Sequence, residues 1–508
     1  MLESRFSLFW LLFFIDISIQ HSIMKPKETY NSISEVRTVH ISFGNKTNQI
    51  CILWCSTNLD YDKNIPPRVR YGFAKSLLSQ ISIGKTVQFN SAKKRFFHRV
   101  VLSNLLPENT YYYQIIRQNK SNSYLDPIES FTVPQSPTSS SITQSFLVFA
   151  DMGTRSGGIP YVVQESINNR YTSIFHIGDI AYNLASNDGI VGDIFLSKLK
   201  NMVSRIPYLT VPGDHESFDN YEHYRHRFSV PNQDWPALSN QLWYSLDIGV
   251  VHVISLETEH FMRNDLAMKD QLDWLKNDLI KANANREQVP WIFVLAHRPL
   301  YCSAENLMED CASDNSKVRA ALEKILFTYG VDLILSGHEH CYERTWPIYQ
   351  KRVLAYNYKD APGPVHIVIG TFGYNYIVDS ISSFREHWSA FATTQHKKES
   401  FGRLNVFNKS HVFWEVFYVN NNQLMDRMWL IKSKHGPYSL KGIFPDKSVY
   451  AARHMSLEEL NNLSQTGAYS EKVRTYILYI FMASGFLLLY LTKKHIYVFC
   501  TKKLTNRI

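Results

Sequence analysis

Five times between residues 145 and 340 a short apolar run stops at a side chain that binds metal ions. Ser145-Phe146-Leu147-Val148-Phe149-Ala150 ends at Asp151, and Ile174-Phe175-His176-Ile177-Gly178 ends at Asp179, with Tyr182 three residues further on. Leu209-Thr210-Val211-Pro212-Gly213 ends at Asp214-His215-Glu216. Trp291-Ile292-Phe293-Val294-Leu295-Ala296 ends at His297, and Asp332-Leu333-Ile334-Leu335-Ser336-Gly337 ends at His338-Glu339-His340. Runs of this length read as buried strands. Between them lie amphipathic segments with apolar residues spaced by three and four, such as Val318, Ala321, Leu322, Ile325, Leu326 and Tyr329. That alternation predicts a layered α/β domain over 145–435. In such folds the carboxyl ends of strands are where sites assemble, so the five blocks should meet.

Taken singly, each block has a bland explanation: an Asp after a strand commonly caps a helix. His176 and His252 sit inside apolar runs and read as core histidines. Jointly the blocks supply four oxygen anions (Asp151, Asp179, Tyr182, Asp214) and three imidazoles (His297, His338, His340). That is enough for two metal sites sharing one bridging ligand. Hard carboxylate and phenolate oxygens suit a trivalent ion, and imidazoles suit a borderline divalent one. Two ions about 3.5–4 Å apart clamp both oxygens of an in-line displacement and acidify bound water.

Upstream, 28–134 shows short alternating or apolar runs with turns between them, among them His40-Ile41-Ser42-Phe43, Cys51-Ile52-Leu53-Trp54 and Arg99-Val100-Val101-Leu102. No helical period of useful length interrupts them, so the region reads as an antiparallel β-sandwich. The stretch Leu105-Leu106-Pro107-Glu108-Asn109-Thr110-Tyr111 resembles the turn before a late strand of fibronectin type III-like domains. A Ser, Thr and Pro-rich linker over 135–144 separates the two regions.

The five blocks resemble those of the calcineurin-like metallophosphoesterases, and Tyr182, three after Asp179, narrows the resemblance to purple acid phosphatases of the animal iron/zinc type. The resemblance implies an acid phosphatase that hydrolyses phosphate monoesters with a metal-activated hydroxide at an Fe(III)-M(II) centre. By position, Asp151, Tyr182 and His340 would hold the ferric ion and Asp179 would bridge. His297, His338 and Asp214 would hold zinc, iron or manganese. His215 would contact the phosphate or protonate the leaving oxygen. Phosphorylated small molecules or phosphoproteins are the implied substrates. Two departures stand out. The family usually has Asn where this chain has Asp214, which makes the centre less positive and predicts slower turnover or a higher working pH. The loop after the fourth block reads Arg298-Pro299-Leu300-Tyr301-Cys302, without the extra histidines of plant members. A phosphodiesterase or nucleotide pyrophosphatase would use the same metals. A non-enzymatic cell-surface protein with a decayed site is the alternative of another class, disfavoured by the full set of seven ligating side chains.

The net charge of +9 does not point to nucleic acid. Lys493, Lys494, Lys502, Lys503 and Arg507 account for five of those charges, and the +4 left upstream forms no basic stripe. Residues 1–22 read as a signal peptide: Arg5 precedes the apolar run from Phe6 to Ile15, and Gln20-His21-Ser22 follows. The uncharged apolar run over 476–492 reads as a transmembrane helix, entered from a juxtamembrane segment over 436–475. The basic tail over 493–508 places the C-terminus in the cytosol. The expectation is a type I protein of the cell surface or an endolysosomal membrane, its catalytic domain outside the cytosol. Asn45, Asn119, Asn408 and Asn462 each have Ser or Thr two residues on, as N-glycan acceptors do. Cys302 and Cys311 are candidates for a disulfide in a polar loop. Cys51 and Cys55 sit too far apart along one strand to pair, about 13 Å, and read as core residues. Cys341 reads as a packed thiol or half of a disulfide, and Cys500 as a reduced cytosolic thiol.

Overall fold

A computed structural model describes residues 38–440 apart from 57–64, 90–94, 119–122, 138, 140–142, 304–309, 373–385 and 394–397. The leader, the apolar run at 476–492 and the basic tail lie outside the described residues, as do Asn119, Asn462 and Cys500. Among the described residues no helix is long and apolar enough to cross a membrane.

The first region is a two-sheet β-sandwich. Its strands are β1 (His40–Phe43), β2 (Ile50–Ser56), β3 (Arg68–Gly72), β4 (Gln80–Ile83), β5 (Lys85–Phe89), β6 (Arg95–Leu102), β7 (Thr110–Gln118), β8 (Ser123–Leu125) and β9 (Glu129–Thr132). One sheet runs β1-β2-β6-β5 and the other β4-β3-β7-β8, with β9 also paired to β7. Strand β2 is apolar on both faces for a reason. Ile50, Ile52 and Trp54 enter the main core, whereas Cys51, Leu53 and Cys55 pack with Phe97 and Trp235, the last contributed by the second region. Cys51 and Cys55 are thus unpaired core residues on one face of one strand, as their spacing predicts.

The second region packs two sheets face to face. It comprises β10 (Gln144–Phe149), β11 (Ser173–Ile177), β12 (Tyr208–Val211), β13 (Tyr244–Ile248), β14 (Val251–Leu256), β15 (Trp291–Ala296), β16 (Leu333–Ser336) and β17 (Tyr342–Thr345). The short hairpin β18 (Ile348–Tyr349) and β19 (Arg352–Val353) follows, then β20 (Val365–Ile369), β21 (Ser389–Ala392), β22 (Ser400–Val406), β23 (His411–Tyr418) and β24 (Leu424–Ile431). The sheets run β12-β11-β10-β22-β23-β24 and β13-β14-β15-β16-β20-β17-β21. Strands β10, β11 and β12 are mutually parallel, as are β14, β15, β16 and β20. Trp291, Phe293 and Leu295 of β15 enter the core between the sheets, while Ile292, Val294 and Ala296 meet helices Leu266–Ala284 and Lys317–Thr328 through Leu275, Leu279, Val318 and Leu322. Burial on both faces explains why these runs are continuously apolar instead of alternating. Each helix starts at a side-chain cap: Asp265 accepts from the Met268 N–H, and Ser316 from the Arg319 N–H.

Candidate metal centre

Strand order decides which donors meet. Asp151, Asp179 and Asp214 follow the neighbouring parallel strands β10, β11 and β12, so all three leave the same edge of one sheet. His297 and His338 follow the neighbouring parallel strands β15 and β16 of the other. One sheet therefore brings the oxygen anions and the facing sheet brings the imidazoles. The backbone turns sharply to do this: Asp151, Asp179, Tyr182 and His338 have φ of 61°, 54°, 47° and 67°. Left-handed conformations of bulky residues cost of order 1–3 kcal/mol each and persist only where surrounding structure imposes them. Gly178 and Gly213 allow the close approach. A Cβ on Gly178 would overlap the His297 ring, and one on Gly213 would overlap the Asp179 carboxylate.

The donors form two adjoining groups. In the first, Asp214 Oδ1 lies 3.1 Å from His297 Nε2 and 3.1 Å from His338 Nδ1, and Asp179 Oδ1 lies 3.2 Å from His297 Nε2. In the second, the Tyr182 hydroxyl lies 2.7 Å from His340 Nε2 and 3.3 Å from Asp151 Oδ1. Asp151 and Asp179 offer oxygens within 4.8 Å of each other and of His297, so Asp179 stands between the groups. The His297 Nδ1–H donates to the Ile177 carbonyl at 3.0 Å, which turns Nε2 toward the carboxylates. All seven ligands expected from the sequence are brought together. Carboxylates, a phenol and imidazoles at this spacing are a donor set suited to two hard or borderline cations.

Other side chains position these. Glu216 is buried and accepts from the backbone N–H groups of Gly213, Asp179 and Ile180 at 2.8–2.9 Å, tying two ligand loops together. His215, partly exposed, has its Nδ1 on the Asn183 side-chain oxygen and its Nε2 3.8 Å from Asp179 Oδ2. Arg298 lies with Nη1 2.7 Å from His338 Nε2 and Nη2 3.7 Å from Asp214 Oδ1. Arg298 sets a positive charge against the Asp214 carboxylate and offsets the negative charge that Asp214 adds to the centre. Asn183, Glu216 and the orientation of Arg298 were not assigned from sequence. Each adjoins a ligand block in the chain, and that adjacency was the available signal.

Without counter-ions the cluster is electrostatically crowded. Burial, then the His297 and Asp179 charges acting in opposite senses, holds the Asp151 carboxyl well above the ordinary carboxylate range. Burial opposes the charged form of His297, but Asp179, Asp214 and Asp151 outweigh it and hold the imidazole protonated well above its usual range. Burial alone would raise Asp214; hydrogen bonds from His297 and His338 pull it well below instead. Three carboxyl groups and a phenol compressed in this way are a ready seat for cations.

Two residues named in sequence stay outside the centre. His176 is fully buried beside Tyr208, its imidazole kept neutral by burial, which lowers it to about 3. His252 bridges Asp247 and Asp278 at 2.6 and 2.9 Å. Cys302 and Cys311 form the expected disulfide, with Cα atoms 5.4 Å apart. Glu339 lies against that disulfide, and with both thiols oxidised the trio makes no metal site. Cys341 packs against Val368 and Ala392 as a buried thiol.

Comparison with known proteins gives three adjoining family matches: purple acid phosphatase N-terminal domain over residues 36–133, calcineurin-like phosphoesterase over 145–342, and iron/zinc purple acid phosphatase-like protein C over 363–427. Acid phosphatase type 7 of Danio rerio is 33% identical over 429 residues, covering 78% of this chain and 92% of that protein. Acid phosphatase type 7 of Homo sapiens is 31% identical over 460 residues, covering 86% and 98%. The solved structure of purple acid phosphatase PPD1 from yellow lupin seeds shares the fold, with a TM-score of 0.66 at 22% identity over 81% of this chain and 76% of that one.

Proposed function

This chain belongs to the purple acid phosphatase family, and on that footing we propose that it hydrolyses phosphate monoesters as a metal-dependent acid phosphatase. The observation that carries the reading is the meeting of seven ligating side chains in two groups with Asp179 between them. Asp151, Tyr182 and His340 would hold a ferric ion, and Asp214, His297 and His338 a divalent zinc, iron or manganese, with Asp179 shared. Bound there, the two cations would supply Lewis acidity toward the phosphoryl oxygens and toward a water molecule. The chain's own groups do the rest. Glu216 fixes the Asp179 and Asp214 loops against each other. Asn183 orients His215 through Nδ1, so its Nε2 faces the Asp179 side of the centre, where it can meet a phosphoryl or leaving-group oxygen. The test is bound metal and p-nitrophenyl phosphate hydrolysis across pH on the purified full chain. Two metals per chain with hydrolysis strongest in the acid range is the expected outcome; a metal-loaded chain inert toward every monoester tried would sink the reading.

We further propose an exported, glycosylated protein anchored by a single C-terminal span. Supporting it are the apolar run over 476–492 with its basic sequel, the disulfide Cys302–Cys311, and the exposed acceptors Asn45 and Asn408. In sealed microsomes the catalytic region should resist added protease. Digestion without detergent would contradict that topology.

A further inference from the structure

Arg298 is held from several directions. Its backbone N–H donates to Thr258 Oγ1 at 3.2 Å, and its Nε–H donates to Glu259 Oε1 at 2.6 Å. Glu259 is itself buried, and its backbone N–H donates to Glu257, a carboxylate with no exposure, at 2.9 Å. With Nε committed to Glu259, the two terminal nitrogens point the other way. Nη1 reaches His338 Nε2 at 2.7 Å and Nη2 stops 3.7 Å from Asp214 Oδ1, beyond a good hydrogen bond. Both contacts are ligands on the same side of the centre. The side chain is 14% exposed and that of Asp214 is 33% exposed, so both remain partly open to solvent.

That placement has a chemical meaning. A guanidinium offers parallel N–H donors at the spacing of two phosphoryl oxygens, and it is less strongly hydrated than an ammonium. A phosphate monoester entering here would otherwise face the Asp214 carboxylate unshielded. A structural salt bridge with Glu259 would need Nε alone and would not require the fork to face the ligands. Resting on the phosphatase reading above, we propose that Arg298 is a substrate-binding residue that takes the phosphoryl oxygens of a monoester on the Asp214–His338 side, its charge balanced by Asp214 until substrate arrives. Glu259 is then a positioning residue, acting through Arg298.

The test compares full-length wild type with Arg298→Met and Arg298→Lys. Four quantities are read: metal per chain, the visible spectrum, calorimetric affinity for inorganic phosphate, and kcat and KM for p-nitrophenyl phosphate. Loss of a charge-assisted pair should weaken phosphate binding and raise KM roughly ten- to hundredfold in Arg298→Met at unchanged metal content. Arg298→Lys, which keeps the charge without the fork, should recover part of the loss. Phosphate affinity within about twofold of wild type, with metals intact, would overturn the proposal. So would a loss of affinity that merely follows a loss of metal in both variants. A wild type that binds no metal and hydrolyses no monoester would instead overturn the phosphatase reading itself. A working wild type with indifferent variants removes only Arg298.

Discussion

Tyr182 shows how a single side chain depends on what it binds. Burial, reinforced by Asp151, Asp179 and Asp214, holds its phenol proton well above the ordinary phenol range. A neutral phenol gives no charge-transfer band, so ionisation of Tyr182 must come from a cation strong enough to reverse that shift. The metal-free protein should therefore be colourless at neutral pH, and ferric loading should bring a visible band. Tyr182→Phe should bleach the band while the circular dichroism stays that of the wild type. A spectrum unchanged by the substitution would exclude Tyr182 as chromophore. The position of Asp179 between the two donor groups leads to a second expectation. Asp179→Ala should lose both metals, whereas His297→Ala, on the Asp214 side, should lose mainly the divalent one. Equal iron retention in the two variants would refute a shared ligand.

At the scale of the element, the β13–β14 hairpin is fastened to helix Leu266–Ala284 by one imidazole. Both His252 nitrogens face carboxylates, Asp247 on the hairpin and Asp278 on the helix. Burial opposes its charge, yet the hydrogen bonds to Asp247 and Asp278 outweigh burial and raise it to about 9. The folded value lies above the unfolded one of about 6.5, so the stabilisation is complete below that pH and fades as pH climbs through about 9. Its size is of order 2 kcal/mol, Asp247 being half exposed. Melting temperature should therefore fall between pH 7 and pH 9.5 in the wild type, and His252→Gln should flatten that slope. Identical pH dependence in the two proteins would show that His252 is neutral in the fold. From sequence this histidine reads as a core residue; it is buried, but as the centre of an ion triad whose two carboxylates arrive from two elements.

For the molecule as a whole, the sandwich and the catalytic region share a buried ionic seam. Asp193, on the helix Ile190–Val203, receives Arg95 Nη2 of β6 at 2.9 Å and Arg227 Nη1 at 2.7 Å, and all three side chains are buried. The Tyr113 hydroxyl donates to the Ser204 carbonyl across the same boundary, and Trp235 packs against Cys51, Leu53 and Phe97. Removing one partner of such a network strands the others, at about 3–5 kcal/mol. Asp193→Ala should destabilise by that order and lower the midpoint of unfolding for both regions together. A variant in which the sandwich melts alone, with the phosphatase activity of the remainder unchanged, would show that the seam does not couple them. Helix Ile190–Val203 lies directly after the β11 loop that carries Asp179 and Tyr182. The sandwich thus braces a ligand-bearing segment without contributing a ligand.

The sequence by itself determined the kinds of donor and their order along the chain. Apolar runs doubly buried in parallel sheets announce themselves by composition, and a metal ligand at a strand end is local information. The seven donor side chains that meet at the strand ends, the layered α/β plan, the sandwich and the Cys302–Cys311 pairing were legible for that reason. What the chain order could not carry was which strands become neighbours. Only the packing of two sheets, one ending in carboxylates and the other in imidazoles, put Asp214 beside both His297 and His338. The same packing turned Arg298 toward them, because Glu259 holds its Nε and Glu259 opens a short helix, Glu259–Arg263, nearly forty residues upstream. The reach of Glu216 to the amides of Asp179 and Ile180 is likewise a tertiary event. Charge balance depends on distance in three dimensions, and one residue of sequence separation says nothing about where a guanidinium points.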